Sequence, residues 1–187
     1  LERMKFLLIF SSNMDEFFEI RVAGLKKQIE FQRENPGPDG MRPREVLEDI
    51  SRQVHVAVQQ QYEIFNNILI PALEKENIHL LRRNHWTPEQ ALWARRYFRD
   101  EVLPVVSPIA LDPAHPFPRL VNKSLNFILS LDGSDAFGRE GGFAIVPAPR
   151  SLPRIIRIPD RLTDGGDNFV FLSSIIHAHV EELFPGM

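Results

Sequence analysis

Phe10-Ser-Ser-Asn-Met-Asp-Glu-Phe-Phe18, followed by Glu19-Ile-Arg-Val-Ala-Gly-Leu-Lys26, reads as the start of a helix. Ser11, Ser12 and Asn13 have short polar side chains that accept hydrogen bonds from the free N–H groups of a first turn, and Asp15 and Glu16 set negative charge at its positive end. Behind them Phe17, Phe18, Val22 and Leu25 recur at helical spacing and give one apolar face. Two readings are open on these residues alone. The cap is ordinary helix initiation, or it faces a ligand, because N–H groups at a helix start, the Asn13 amide, Arg21 and Lys26 together suit a nucleotide or phosphate.

Before this stretch, Leu1 to Ile9 carries Met4, Leu7 and Leu8 and reads as the end of a preceding helix, so the chain is expected to be a fragment that opens inside one. Downstream, the helix begun at Ser11 is expected to run to about Glu34 and to stop at Asn35-Pro-Gly-Pro-Asp-Gly40, the densest turn chemistry in the chain. Pro43 suits a first helical turn. From there to Glu76 the stripe Val46, Ile50, Val54, Ala57, Tyr62, Phe65, Leu69 and Leu73 predicts a helix on the order of 50 Å long, with Pro71 as a kink point. Three helices with short links predict a bundle over residues 1–77.

From residue 78 the pattern changes. Ile78 to Leu81, Val105 to Leu111, Ser124 to Leu131, Phe143 to Val146, Arg154 to Ile158 and Asn168 to Leu172 read as short extended segments. Thr87-Pro88-Glu89 starts a helix reaching Val102, and a last helix is expected over Ser173 to Leu183, capped by Ser173 or Ser174. The fold class predicted is α+β, a helical amino-terminal domain over 1–77 followed by part of an α+β domain over 78–187 with a small, mostly antiparallel sheet.

The chain has 187 residues, 43% hydrophobic and 25% charged, enough for a buried core. A formal charge of −3 gives no general attraction to nucleic acid or to an anionic membrane. The absence of Cys excludes disulfides, Cys-based zinc sites and a thiol nucleophile. No apolar run is long enough to span a bilayer, so a soluble, intracellular chain is expected.

Several separated motifs share one resemblance. Glu2-Arg-Met-Lys-Phe-Leu-Leu-Ile-Phe-Ser-Ser-Asn-Met-Asp-Glu-Phe-Phe18, Arg21-Val-Ala-Gly-Leu-Lys26, Leu69-Ile-Pro-Ala-Leu73, Leu111-Asp-Pro-Ala-His-Pro-Phe-Pro118 and Glu182-Leu-Phe-Pro-Gly-Met187 resemble, in that order, the amino-terminal and middle domains of polyphosphate kinases of the long, histidine-autophosphorylating type. Ser12 stands where that family often has a second Asn, and Met14 where it usually has Leu.

The resemblance implies a non-catalytic part of an enzyme that moves the terminal phosphate of ATP to polyphosphate through a phosphohistidine. It implies that the phosphorylated histidine and the magnesium sites lie beyond Met187, and that the carboxy-terminal catalytic domains of the same chain are partners. It also implies a dimer or tetramer at full length, and a cytoplasmic enzyme able to associate with membranes. For Asn13 it implies contact with the nucleotide base. An amide suits that role because it presents both a donor and an acceptor to an adenine edge. The alternative is a stand-alone helical and α+β interaction protein without kinase activity.

Other candidate chemistry is thin. His115 lies between Ala114 and Pro116, a rigid corner near Asp112 and Arg119, and reads as a packed histidine. His177 and His179 are two apart on a helix and point away from one another, so they cannot share a metal. His55, His79 and His85 are isolated in sequence, and no catalytic role or metal site is assigned. Gly138 to Gly142 lacks the following Lys of a phosphate loop. Arg150, Arg154, Arg157 and Arg161 form a basic run that Pro153 and Pro159 keep off a single helical face.

Overall fold

In the computed structural model the described residues are 1–33, 35–112, 114–134 and 140–184. Pro113 of the proline-rich motif, the expected helix end at Glu34, residues 138–139 of the glycine stretch and the tail 185–187 lie outside them. The chain divides into two compact units, Leu1–Glu76 and Asn77–Met187.

The first unit is a hairpin of two long rods. One consists of α1 (Glu2–Phe17), a π turn (Phe18–Val22) and α2 (Ala23–Glu30). The helix start expected at Ser11 to Asn13 is therefore not there, and these three residues sit in mid-helix. The physical reason is a balance of small terms. Ser and Asn cost about 0.5 kcal/mol each in a helix interior, whereas the half-buried Leu7, Phe10, Met14 and Phe17 form an unbroken inward seam on both sides of them. No Gly or Pro interrupts the run before Gly24. The π turn adds one residue to the next step, so that Val22, five after Phe17, is buried on the inward side.

The second rod is α3 (Pro43–Ile64), a π turn (Phe65–Leu69) and α4 (Ile70–Lys75). Pro43 opens it, and the Glu45 carboxylate accepts from the Arg42 N–H at 2.8 Å. Pro71 does not break it. Its missing N–H deprives the carbonyl four residues earlier, in Asn67, of a donor, and the π turn adjoins that gap. The apolar stripe holds with one correction. Tyr62 points outward at 60% exposure, and the half-buried Gln61 occupies the seam between Ala57 and Phe65.

The second unit has two three-stranded sheets. In one, β1 (Ile78–Leu80) runs parallel to β6 (Asp167–Phe171), which pairs antiparallel with β5 (Ile155–Arg157). In the other, β2 (Ile109–Leu111) and β3 (Asn126–Ser134) flank β4 (Glu140–Pro147), both antiparallel. The expected helix at Thr87 is α5 (Pro88–Tyr97) with a reciprocal cap: the Gln90 N–H donates to Thr87 Oγ1 at 3.2 Å, and the Thr87 N–H donates to Gln90 Oε1 at 3.0 Å. It continues as a π turn (Phe98–Val102).

The final helix differs from expectation. α6 (Leu172–His179) starts directly from the strand, with neither Ser173 nor Ser174 as cap, because Leu172 is fully buried and its N–H donates to the Arg154 carbonyl at 2.9 Å. A 3-10 turn, Val180–Leu183, follows. Ala94, Phe98 and Val102, spaced by four, pack with Ile175 and Ile176 of α6, Val146 of β4, Ile156 of β5 and Val170 of β6 to form the core.

Candidate functional site

Asn13 lies on the outward side of α1, exposed, and its amide makes no side-chain hydrogen bond among the described residues. The same outward line carries Ile9 four residues before it, Glu16 three after and Ile20 seven after. Ile9 is 52% and Ile20 58% exposed, so a free donor–acceptor pair sits between apolar neighbours. Asp15, Arg21 and Lys26 are also exposed. Because the backbone here is continuous helix, the N–H groups of residues 11 to 16 are used within it. Direct anion binding at a helix start is thus removed from the possibilities, and the amide is the group left to meet a ligand.

The opposite side of α1 is pinned. Gln61 Nε2 of α3 donates to Ser11 Oγ at 2.6 Å and to the Leu7 carbonyl at 3.1 Å. Ser11 thus serves as an inter-helix acceptor, and its bond fixes the rotation of α1 two residues before Asn13. Nothing in the residue pattern marks Gln61, since a glutamine among apolar seam positions reads as surface.

The histidines remain apart. His115 is exposed and not packed in a corner: its Nδ1 lies 3.2 Å from Asp112 Oδ2, and the proline-rich segment leaves the ring in solvent. His55 Nδ1 is 2.6 Å from the Ser51 carbonyl one helical turn earlier. Among the described residues no group of three or more His, Asp or Glu side chains is placed to hold a metal ion. In the arginine run, Arg150 donates to the Asn122 carbonyl at 2.9 Å, and Arg157 pairs with Asp160 at 3.1 Å and Asp167 at 3.0 Å. Two of the four guanidinium groups are thereby engaged in the protein, and no continuous basic face is formed.

A charge cluster that the residue order hides lies at the end of the second unit. Arg95 Nε donates to Glu182 Oε1 at 2.7 Å and Arg99 Nε to Glu182 Oε2 at 2.6 Å, so each carboxylate oxygen takes one α5 arginine. Burial pushes the Glu182 carboxyl up, but the bonds from Arg99 and Arg95 outweigh it and hold it below the ordinary glutamate value. His179, whose ring lies 5.7 Å from that of Phe98, is held below its ordinary value, first by burial and then by the two arginines, against the opposing pull of Glu182. The arrangement ties the last turn to α5, and nothing in it is poised for catalysis.

A family profile described as polyphosphate kinase N-terminal domain matches residues 1–81, and one described as polyphosphate kinase middle domain matches residues 89–187. A polyphosphate kinase of Pseudomonas putida is 63% identical over the whole chain, which covers 26% of that protein. One of Neisseria gonorrhoeae is 52% identical over the whole chain, covering 27% of it. The crystal structure of polyphosphate kinase from Porphyromonas gingivalis superposes with a TM-score of 0.80 at 29% identity, over 98% of this chain and 26% of that one. The chain spans about a quarter of the length of the relatives it matches.

Proposed function

Because the chain belongs to the polyphosphate kinase family, we propose that it is a positioning segment of an ATP:polyphosphate phosphotransferase, and that it presents Asn13 to the base of the bound nucleotide. Residues 1–77 are assigned to the helical amino-terminal domain and 78–187 to the first part of the middle domain, a division supported by the boundary between Glu76 and Asn77. The phosphoryl transfer through a phosphohistidine, and the magnesium that would neutralise the moving phosphate, belong to the rest of the polypeptide. The middle-domain part supports self-association of the full-length enzyme. A cytoplasmic location follows from the family resemblance, and no helix of the described residues is long and apolar enough to cross a membrane.

The observation that carries the reading is the free, exposed amide of Asn13 on a rigid rod, with Ile9 and Ile20 on either side. An adenine edge needs one donor and one acceptor, and its faces need apolar contact. An amide held by α1 supplies the first, and the exposed Ile9, one turn before it, supplies the second. A single such contact does not offset the cost of association, so the segment is expected to hold ATP only as one wall of a larger site.

Asn13→Ala in the intact enzyme tests this. One or two hydrogen bonds lost from bound nucleotide raise the KM for ATP by roughly threefold to tenfold, with a smaller change in kcat. Unaltered ATP kinetics remove Asn13 from the site.

A further inference from the structure

His179 closes α6 with a titratable ring nitrogen that is buried and without a partner. Its backbone leaves helical geometry there, with φ −132° and ψ 12°, before the 3-10 turn Val180–Leu183 begins. The side chain is 14% exposed, and the ring rests beside Phe98, which has no exposed surface. Nε2 has no hydrogen-bond partner among the described residues, and Nδ1 lies 3.9 Å from Glu182 Oε1, beyond hydrogen-bond reach. A neutral ring can keep its proton on Nδ1, toward Glu182, and leave Nε2 as a lone pair. A second proton turns Nε2 into a buried, charged donor with no acceptor, which is the costlier state.

The neighbouring charges oppose that second proton as well. Arg95 of α5 and Arg99 of the π turn that continues it face the ring, as does Glu182 from the last turn, and burial with the two arginines outweighs the carboxylate. Glu182 is already engaged, since each of its oxygens accepts from one arginine. β6 contributes the uncharged Val170 to the core that α6 covers, while Arg83 and His85 of the 3-10 turn that also packs on α6 are exposed, and so is His177. The last turn is held down by Val180, Leu183 and Phe184, which pack partly buried against the core, and by the bonds of Glu182. Swinging that turn about His179 hydrates the ring and relieves both costs of the charged form, so opening and proton uptake are coupled.

We propose that His179 is a proton-operated latch: neutral, it lets the Val180–Leu183 turn rest on α5, and protonated, it releases that turn while the core beneath stays folded. The latch is independent of Asn13 and of the nucleotide. Its chemistry is that of a histidine switch, in which one added charge biases an element with two arrangements.

The test is hydrogen–deuterium exchange of the intact protein, read by mass spectrometry at pH values on either side of the ordinary histidine value of about 6.5 and corrected for the intrinsic chemical rate. The Phe184 N–H, which donates to the Glu181 carbonyl at 3.1 Å, reports on the turn, and the Leu172 N–H, which donates to the Arg154 carbonyl, reports on the core. Acidification by about one pH unit below that value should raise the opening of the 180–184 segment roughly threefold to tenfold and leave β6 and the start of α6 unchanged. His179→Phe, which keeps an aromatic ring against Phe98, and His179→Gln, a second side chain that does not titrate, should both abolish the rise, whereas His85→Gln should keep it. Opening that ignores pH in the unaltered protein, an equal rise in both His179 variants, loss of the rise in His85→Gln, or a rise spread evenly over β6 would each overturn the proposal.

Discussion

Gln61 and Ser11 join the two rods of the helical unit: Gln61 Nε2 reaches the Ser11 hydroxyl at 2.6 Å and, one turn earlier, the Leu7 carbonyl at 3.1 Å. The bond lies in a seam that is otherwise apolar, and it sets the rotation of α1 that turns Asn13 outward.

Gln61→Ala should therefore cost more than a surface substitution. Loss of two part-buried bonds predicts a destabilisation of about 1 to 2 kcal/mol in urea unfolding, moderated because the Ser11 hydroxyl can turn back to the Leu7 carbonyl. In the intact enzyme the same change should raise the KM for ATP less than Asn13→Ala does, and the two effects should not add, because both act through one amide. Full additivity would place Gln61 outside the positioning of Asn13.

Acid should weaken the second unit in two windows. His179 and Glu182 both have folded-state values below their ordinary ones. Each contributes stability that is complete above its unfolded value and is lost as pH falls through the folded one. The His179 contribution begins to fall below about pH 6.5 and that of Glu182 below about pH 4.3. Denaturant midpoints measured from pH 8 to pH 3 should decline in that order, and Glu182→Gln should remove the lower step. Stability that rises on acidification would contradict the cluster.

Phe98 has no exposed surface and packs at the centre of the second unit's core. Phe98→Ala should cost about 3 to 5 kcal/mol, against under 1 kcal/mol for a like truncation at the exposed Leu92. Equal losses by thermal unfolding would place the core elsewhere.

Local chemistry was the legible part of the chain. Thr87, Pro88 and Glu89 announce the start of α5 because a cap and a first-turn proline need only adjacent residues, and the structure adds Gln90 as the reciprocal half of that cap. The stretch Ser124 to Leu131 marks β3 for the same reason, and in it Phe127 and Leu129 are half-buried while Ile128 faces outward. The helical unit followed by α+β, and the family, were likewise readable from separated motifs. Ser11 to Asn13 misleads because cap-forming residues also tolerate a helix interior when buried neighbours outweigh their small cost. Gln61 was illegible since its partners lie on another helix. The approach of Glu182 to Arg95 and Arg99, and of His79 to Asn168, depends on strand and helix order that no local spacing encodes. The role proposed for Asn13 comes from the family resemblance. The structure contributes its exposure and its free amide, and corrects its place from helix cap to mid-helix.

The most direct measurement is photolabelling of the intact enzyme with an ATP analogue carrying an azide on the adenine ring, followed by peptide mapping. Label on the outward face of α1, at Ile9, Asn13 or Glu16, suppressed by excess ATP and lost in Asn13→Ala, is the predicted result. Label confined to residues outside 1–30, with the protein active and saturated, would contradict the claim that this segment meets the nucleotide.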